Sequence, residues 1–341
     1  YPSITVNYAK KDYSTQTISE GDILFENASL LVNGSTYTNV NLISAGSRTY
    51  TTSVKAEETV NSISSNKFFI PSIVSIFIIL IIICAGLIIW YFNTFTIKTN
   101  YEIIESEKIV DEITIIQISD LHGSSFGRNN KELIKKIEKE KPDIICVTGD
   151  MYTAKDEKGK QIALKLLQEL AKSYKVYFVN GEHDCDEKFI QNLKDNEVNV
   201  LDYKKETIAI KNTKINLYGI TNQYYSATFD LKNAFEINKE EYNILLAHIS
   251  NFEEFEQFGI DLSLCGDTHG GQVRLPFLGA IINRGIWFPE IVQKGLNVET
   301  NYIKGLYSIN NSYLYVSSGL GNYPISIRLF NRPEIAVIKL R

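Results

Sequence analysis

Every histidine of this chain closes an apolar run: the four are His122, His183, His248 and His269. The first run, I-I-Q-I-S-D-L-H at 115–122, delivers Asp120 and His122 with one residue between them. Similar side chains end V-T-G-D at 147–150, V-N-G-E-H-D at 179–184 and L-C-G-D-T-H-G-G-Q at 264–272, while L-L-A-H at 245–248 finishes on His248 alone. Histidines placed for packing or solubility would not be confined to strand ends. The pattern implies one site with many ligands, and so a fold whose strands deliver their ends to a common place.

The segments between these runs point to such a fold. Strand-like runs at 113–119, 143–148, 176–180, 215–220, 242–248 and 261–265 alternate with 130–141 and 161–172, where apolar residues such as Leu133, Ile134 and Ile137 recur at helical spacing. Alternation of this kind builds a sheet with helices on its faces. Beyond Gly271 the pattern is strand-rich, with runs at 313–317 and 335–340. A layered α/β domain is expected over 96–341, with sheets packed on each other and helices outside. In open α/β sheets, ligands bind beyond the carboxyl ends of the strands, and every candidate ligand here lies at such an end.

Two different segments precede that domain. Residues 1–66 are rich in Ser, Thr, Asn and Tyr, with short alternating stretches and an Asn33-Gly34 turn signal. A small β-rich module is expected there, with a disordered linker as the alternative. Opening on Tyr1 rather than Met, the sequence is expected to lack its original start. Within 67–93, the 25 residues 68–92 carry no charge. As a helix they would be about 37 Å long, enough to cross a roughly 30 Å hydrocarbon core with some tilt. Trp90 and Tyr91 fall where interfacial aromatics are expected. A single-pass membrane helix follows as the expectation. Its orientation stays open, because Lys55 and Lys67 before the span balance Lys98 and Lys108 after it.

The net charge of −5 and the lack of a long Lys/Arg run argue against a sequence-independent grip on nucleic acid, which needs basic side chains for the phosphates. Four scattered cysteines, Cys84, Cys146, Cys185 and Cys265, do not make a disulfide framework or a paired-cysteine zinc site.

Taken singly, D-x-H or G-D has ordinary explanations; the ordered set of five is specific. It closely resembles the calcineurin-like metallophosphoesterase family, whose pattern runs D-x-H, G-D, G-N-H-D/E, H, G-H-x-H. The resemblance covers about 114–341. Within the family it resembles the membrane-anchored bacterial branch that includes enzymes cleaving UDP-2,3-diacylglucosamine, with S-G-L-G-N at 318–322 and F-N-R-P-E at 330–334 matching that branch. The resemblance implies a four-layer α/β/β/α sandwich. It also implies that Asp120, His122 and His269 hold one divalent metal. Asp150 would bridge to a second, held also by Glu182, His248 and Asp267. His183 would stand by the leaving group, oriented by Asp184, where it can hydrogen-bond the phosphoryl oxygen or protonate the departing alkoxide.

A pair of cations can activate a bridging water, neutralise a phosphate and clamp an in-line displacement. General-acid help from His183 is worth roughly 10²–10⁴-fold in rate. The expected activity is hydrolysis of a phosphodiester or pyrophosphate, with a phosphorylated small molecule or lipid as substrate. Two positions depart from the family pattern: Glu182 stands where Asn is usual and Asp267 where His is usual. Oxygen-rich ligation of this kind favours manganese, with iron, magnesium and zinc also fitting the donor types. The competing reading is a catalytically weak or inactive scaffold in which these substitutions mark decay. Retention of Asp150, His183 and Asp184 favours hydrolysis. The stretch 274–288, dense in large apolar residues with Arg274 and Arg284 among them, is read as core packing or as a lip lying against lipid.

Overall fold

The computed structural model describes residues 16–18, 23–32, 34–43, 48–50, 69–221, 231–283, 286–287 and 302–341. The chain divides into two units, Tyr1–Leu80 and Ile81–Arg341. In the first, Gln16–Ile18 pairs antiparallel with Arg48–Tyr50, and Ile23–Val32 with Ser35–Ile43. Val32 faces Ser35 across a turn in which Gly34 takes φ +83°, a conformation open to glycine at little cost.

Helix α1, Phe69–Phe95, runs across the boundary between the units. By length and composition, its stretch Val74–Phe95 can cross a membrane, and none of its most apolar window is buried. The described residues beyond α1 contain two six-stranded sheets, besides short two-stranded ladders within 274–287. The first contains β1 (Lys98–Ile104), β2 (Ile113–Ile118), β3 (Ile144–Val147), β4 (Lys175–Phe178) and β5 (Asn199–Val200). The second contains β6 (Lys204–Ile210), β7 (Thr213–Gly219), β8 (Tyr242–Leu246), β9 (Leu262–Cys265), β10 (Gly305–Ile309) and β11 (Ser312–Val316). The last strand, β12 (Glu334–Leu340), returns to the first sheet, giving the orders β1-β12-β2-β3-β4-β5 and β6-β7-β8-β9-β11-β10. From β2 to β5 and from β7 through β9 to β11, neighbouring strands are parallel.

Burial on both faces explains the near-continuous apolar runs of the central strands. In β2 and β3, Ile113, Ile115, Ile144 and Cys146 enter a core shared with Leu217, Ile244 and Leu264 of the other sheet. Their alternates Ile116, Ile118, Ile145 and Val147 meet the helices α2 (Lys131–Glu140), α3 (Glu157–Ala171) and α4 (Glu187–Asp195). The other outer face, with Tyr218, Leu245 and Val316, packs on Phe252, Phe255 and Phe258 of a helix at Phe252–Phe258. The result is the four-layer α/β/β/α order expected, a mixed α/β fold with two sheets.

Candidate metal centre

The parallel strands bring their carboxyl ends together, and the turns beyond them share an unusual conformation. Asp120, His122, Asp150, Asp267 and His269 all have φ between 44° and 72°. Such conformations cost about 1–3 kcal/mol each for non-glycine residues and persist only where the surroundings enforce them. Enforcement comes from close backbone packing. The Asp120 N–H donates to the Gly149 carbonyl at 2.9 Å and the His122 N–H to the Asp150 carbonyl at 3.0 Å. At Gly266 a Cβ would lie 2.1 Å from Ser119 Oγ and 2.6 Å from Asp120 Oδ2, so only glycine lets β9 come this close to the end of β2.

Six of the predicted residues converge. Three overlapping groups, Asp120–His122–His269, His122–Asp150–His183 and Asp120–Asp150–His248, each keep their ligand atoms within 4.8 Å of one another. Asp150 Oδ2 is the shared point. It lies 3.3 Å from His248 Nε2, 3.8 Å from His122 Nε2 and 4.0 Å from His183 Nε2. Asp120 Oδ1 lies 3.8 Å from His269 Nε2 and 3.9 Å from His248 Nε2.

The other three predicted residues stand differently. Glu182 is exposed, on the same loop as His183, and belongs to none of the three groups. Asp267 is half-buried and is also outside them, but its N–H donates to Asp120 Oδ1 at 3.1 Å. Asp184 is fully buried, and its carboxylate accepts from the Gly181 N–H at 2.6 Å and the Met151 N–H at 2.8 Å. It therefore braces the loops that carry Asp150 and His183. The His183 ring is oriented instead by the Ala154 N–H, which donates to Nδ1 at 3.3 Å. That bond leaves Nε2 as the proton-bearing nitrogen of the neutral ring.

Several atoms in the cluster point at one another without an ordinary hydrogen bond. His248 Nδ1 donates to the Thr148 carbonyl at 2.6 Å, which turns Nε2 towards two carboxylates. His248 Nε2 and Asp120 Oδ2 are both buried without a hydrogen-bond partner. Nε2 of His122 and Nε2 of His269 face each other at 3.1 Å. Imidazole nitrogens and carboxylate oxygens converging in this way are the donor set of a transition-metal site.

The electrostatics agree. Burial, against the pull of His248, pushes the Asp120 carboxyl up to about 7. Burial also drives His122 down to about 4 and, with the help of His122, His269 well below its usual range. Burial works against the charge of both His248 and Asp150, but each is held ionised by the other. His248 is accordingly raised well above the ordinary imidazole range and Asp150 lowered below the carboxylate range. Burial and the Asp150 charge lift Asp184 to about 7. The site thus combines two neutral imidazoles with an ion pair that a metal can split.

Three contributors were not legible as site residues. Gln117 joins the sheets beneath the cluster, its Nε2 donating to Thr148 Oγ1 at 2.9 Å and to the Cys265 carbonyl at 2.8 Å. Buried Arg328 donates to the Ser318 carbonyl at 2.8 Å, the Asn331 carbonyl at 3.2 Å and Asn322 Oδ1 at 3.0 Å, knitting the 318–322 turn to the site. Tyr323 stacks on the His122 ring at 4.9 Å and meets His183 edge-on at 4.8 Å. The only sequence signal for Tyr323 was its place directly after S-G-L-G-N.

Buried strand ends with converging imidazoles and carboxylates make a site of the kind a metal-dependent hydrolase uses. Residues 113–271 match the model of the calcineurin-like phosphoesterase family. The metallophosphoesterase YkoQ of Bacillus subtilis is 28% identical over 254 residues, covering 71% of this chain and 90% of that protein. YkuE, a metallophosphoesterase of the same organism, is 27% identical over 269 residues, covering 74% and 88%. The phosphodiesterase YaeI of Escherichia coli is 27% identical over 235 residues, covering 66% and 81%. Over residues 113–271 the chain is thus similar to the calcineurin-like phosphoesterases, and the relatives that share this domain carry metallophosphoesterase or phosphodiesterase names.

Proposed function

We propose that the protein is a membrane-anchored phosphoesterase that hydrolyses a phosphodiester or pyrophosphate at two divalent metal ions. The observation that carries this reading is the overlap of the three ligand groups through Asp120, His122 and Asp150. Asp120, His122 and His269 would hold one ion, and Asp150 with His248 the other, with Asp150 shared. Glu182 and Asp267 are proposed as supplementary ligands. The ions would neutralise phosphate charge and lower the pKa of a nearby water.

The chain's own residues supply the rest. His183, with the proton on Nε2, donates to the departing oxygen. Asp184 keeps the 151 and 181 loops in place, so that the His183 N–H continues to bond Asp150 Oδ1 at 2.9 Å. Within the three groups the donors are two carboxylates and four imidazoles. The imidazoles suit iron or zinc and the carboxylates manganese, so the set fits a transition metal better than magnesium; manganese is the ion proposed.

Helix α1 supports membrane anchoring, and with the 318–334 tail it supports a place in the membrane-anchored branch, with a lipid-linked phosphoester such as UDP-2,3-diacylglucosamine as substrate. The test is manganese-dependent hydrolysis of bis(p-nitrophenyl) phosphate by the full chain in detergent, with Asp150→Asn as control. Turnover that needs both manganese and Asp150 supports the enzyme. Metal binding without turnover would make the domain a scaffold.

A further inference from the structure

Next to the metal cluster lies an apolar rim that hydrolysis does not require. Ile325, Ile327 and Phe330 on the loop after Tyr323 are 62%, 48% and 58% exposed. Phe277 and Leu278, at the tip of the hairpin Arg274–Leu275 and Gly279–Ala280, are 99% and 41% exposed. The two pieces are joined: the Arg274 N–H donates to the Leu329 carbonyl at 2.9 Å and the Leu329 N–H to the Gln272 carbonyl at 3.3 Å. Scattered exposed apolar side chains are ordinary on protein surfaces, whereas a connected group marks contact with something.

Both ends of the rim are anchored, and the anchors say what it contacts. At one end Tyr323 covers His122 and His183. At the other the loop is fastened to the last turns of α1. Trp90 Nε1 donates to the Ser326 carbonyl at 3.1 Å, and the Arg328 N–H donates to Thr94 Oγ1 at 3.2 Å. The Arg332 guanidinium lies 4.2 Å from the centre of the Phe92 ring and donates to the Thr96 carbonyl at 3.3 Å. Ile325 and Ile327 therefore flank a backbone carbonyl bonded to Trp90, an amphipathic residue of the kind that sits at headgroup level. A soluble partner could cover the rim but would leave the exposed apolar surface of α1 beside it in water; a bilayer covers both.

We propose that Phe277, Leu278, Ile325, Ile327 and Phe330 form an interfacial membrane-contact surface. It rests in the headgroup–acyl boundary of the bilayer that α1 enters, and it holds Tyr323 and the metal cluster against phosphoesters of that leaflet. The proposal rests on the reading of α1 as a membrane helix.

The test places a photoreactive benzoylphenylalanine singly at Phe277, Phe330, Ile82 of α1 and Lys194 of α4. The full chain is held in nanodiscs of phosphatidylcholine and phosphatidylglycerol, and intact mass is read after illumination. Phospholipid adducts at Phe277, Phe330 and Ile82, absent at Lys194, are expected. An adduct at Ile82 without one at Phe277 or Phe330, or crosslinks from those two to protein instead of lipid, overturns the rim. If Ile82 also fails, the membrane reading and the rim fall together. Hydrolysis of a water-soluble diester by the same samples is decided separately. As a second measurement, Phe277→Ser with Phe330→Ser is expected to lower hydrolysis of a nitrophenyl diester carrying diacylglycerol in vesicles by about tenfold. Turnover of bis(p-nitrophenyl) phosphate should not change. Equal effects on both substrates overturn the proposal.

Discussion

Gly181→Ala is the most sensitive probe of how tightly the cluster is built. An added Cβ would sit 2.2 Å from Asp150 Oδ1 and 2.9 Å from the Asp150 nitrogen, where ordinary contact begins at 3.4 Å. Something must move by about 1 Å, and the neighbours offer little room. Asp150 Oδ1 accepts the His183 N–H at 2.9 Å, while the Gly181 N–H itself is tied to Asp184 Oδ1 at 2.6 Å. Overpacking of this kind costs about 1–3 kcal/mol. For a domain of this size that lowers Tm by about 2–4 °C per kcal/mol. The functional loss should be larger than the stability loss suggests, because misplacing a catalytic group by about 1 Å costs about 10²-fold in rate. The assays are kcat/KM on a chromogenic diester, metal content per chain, and thermal unfolding. A variant with a normal Tm, normal metal content and kcat/KM within about threefold of the parent would refute the packing argument, since 1.4 kcal/mol is already tenfold.

Further predictions follow from other parts of the site. His183→Ala should lower turnover about 10²–10⁴-fold for an alkoxide leaving group but far less for nitrophenolate, which departs without a proton, with metal content unchanged. Equal losses on the two esters would remove His183 as the acid. Replacing Arg328 with Met should destabilise the domain by about 3–5 kcal/mol in chemical unfolding, because several buried carbonyls lose a charged donor at once; a loss below about 1 kcal/mol would contradict this. The metal-free protein should lose stability as pH rises from 6.5 to 8. Asp120 and Asp184, raised to about 7 in the fold, and His248, raised well above its usual range, all give up protons that the folded state holds more tightly than the unfolded one. The opposing contributions of His122, depressed to about 4, and of His269, well below its usual range, are nearly complete at 6.5 and are lost at lower pH. Each such proton contributes at most about 1.4 kcal/mol per pH unit. The gain in Tm on adding manganese should therefore widen across this window. A gap that narrows would contradict the sign.

What the sequence disclosed followed from burial. Strands β2, β3, β8 and β9 are covered on both faces, so they appear as near-continuous apolar runs, and the side chains after them are their ends. Strand β6 and the helix at Phe252–Phe258 were not anticipated, the first because it opens on the polar run Lys204 to Thr207 and buries only Ile208 and Ile210, the second because it is short and acidic. Ligand spacing shows which loop carries a side chain, not where it points. Glu182 and Asp267 thus looked equivalent to their neighbours, while the structure leaves Glu182 exposed and Asp267 outside the three groups. The oriented role expected of Asp184 fails in the same way, since its oxygens are committed to backbone N–H groups. Arg328 and Tyr323 act through a loop with no periodicity of its own. Of the apolar lip expected at 274–288, Arg284 and Phe288 lie outside the described residues, as does most of the N-terminal module.

The central claim is that carboxylates and imidazoles remote in the chain surround a pair of cations. Anomalous diffraction at the manganese edge from crystals of the full chain grown with manganese tests it most directly. Two peaks about 3.5–4 Å apart are predicted, one among Asp120, His122 and His269 and the other beside Asp150 and His248. A strong peak elsewhere, or an empty cluster at saturating manganese, would contradict it.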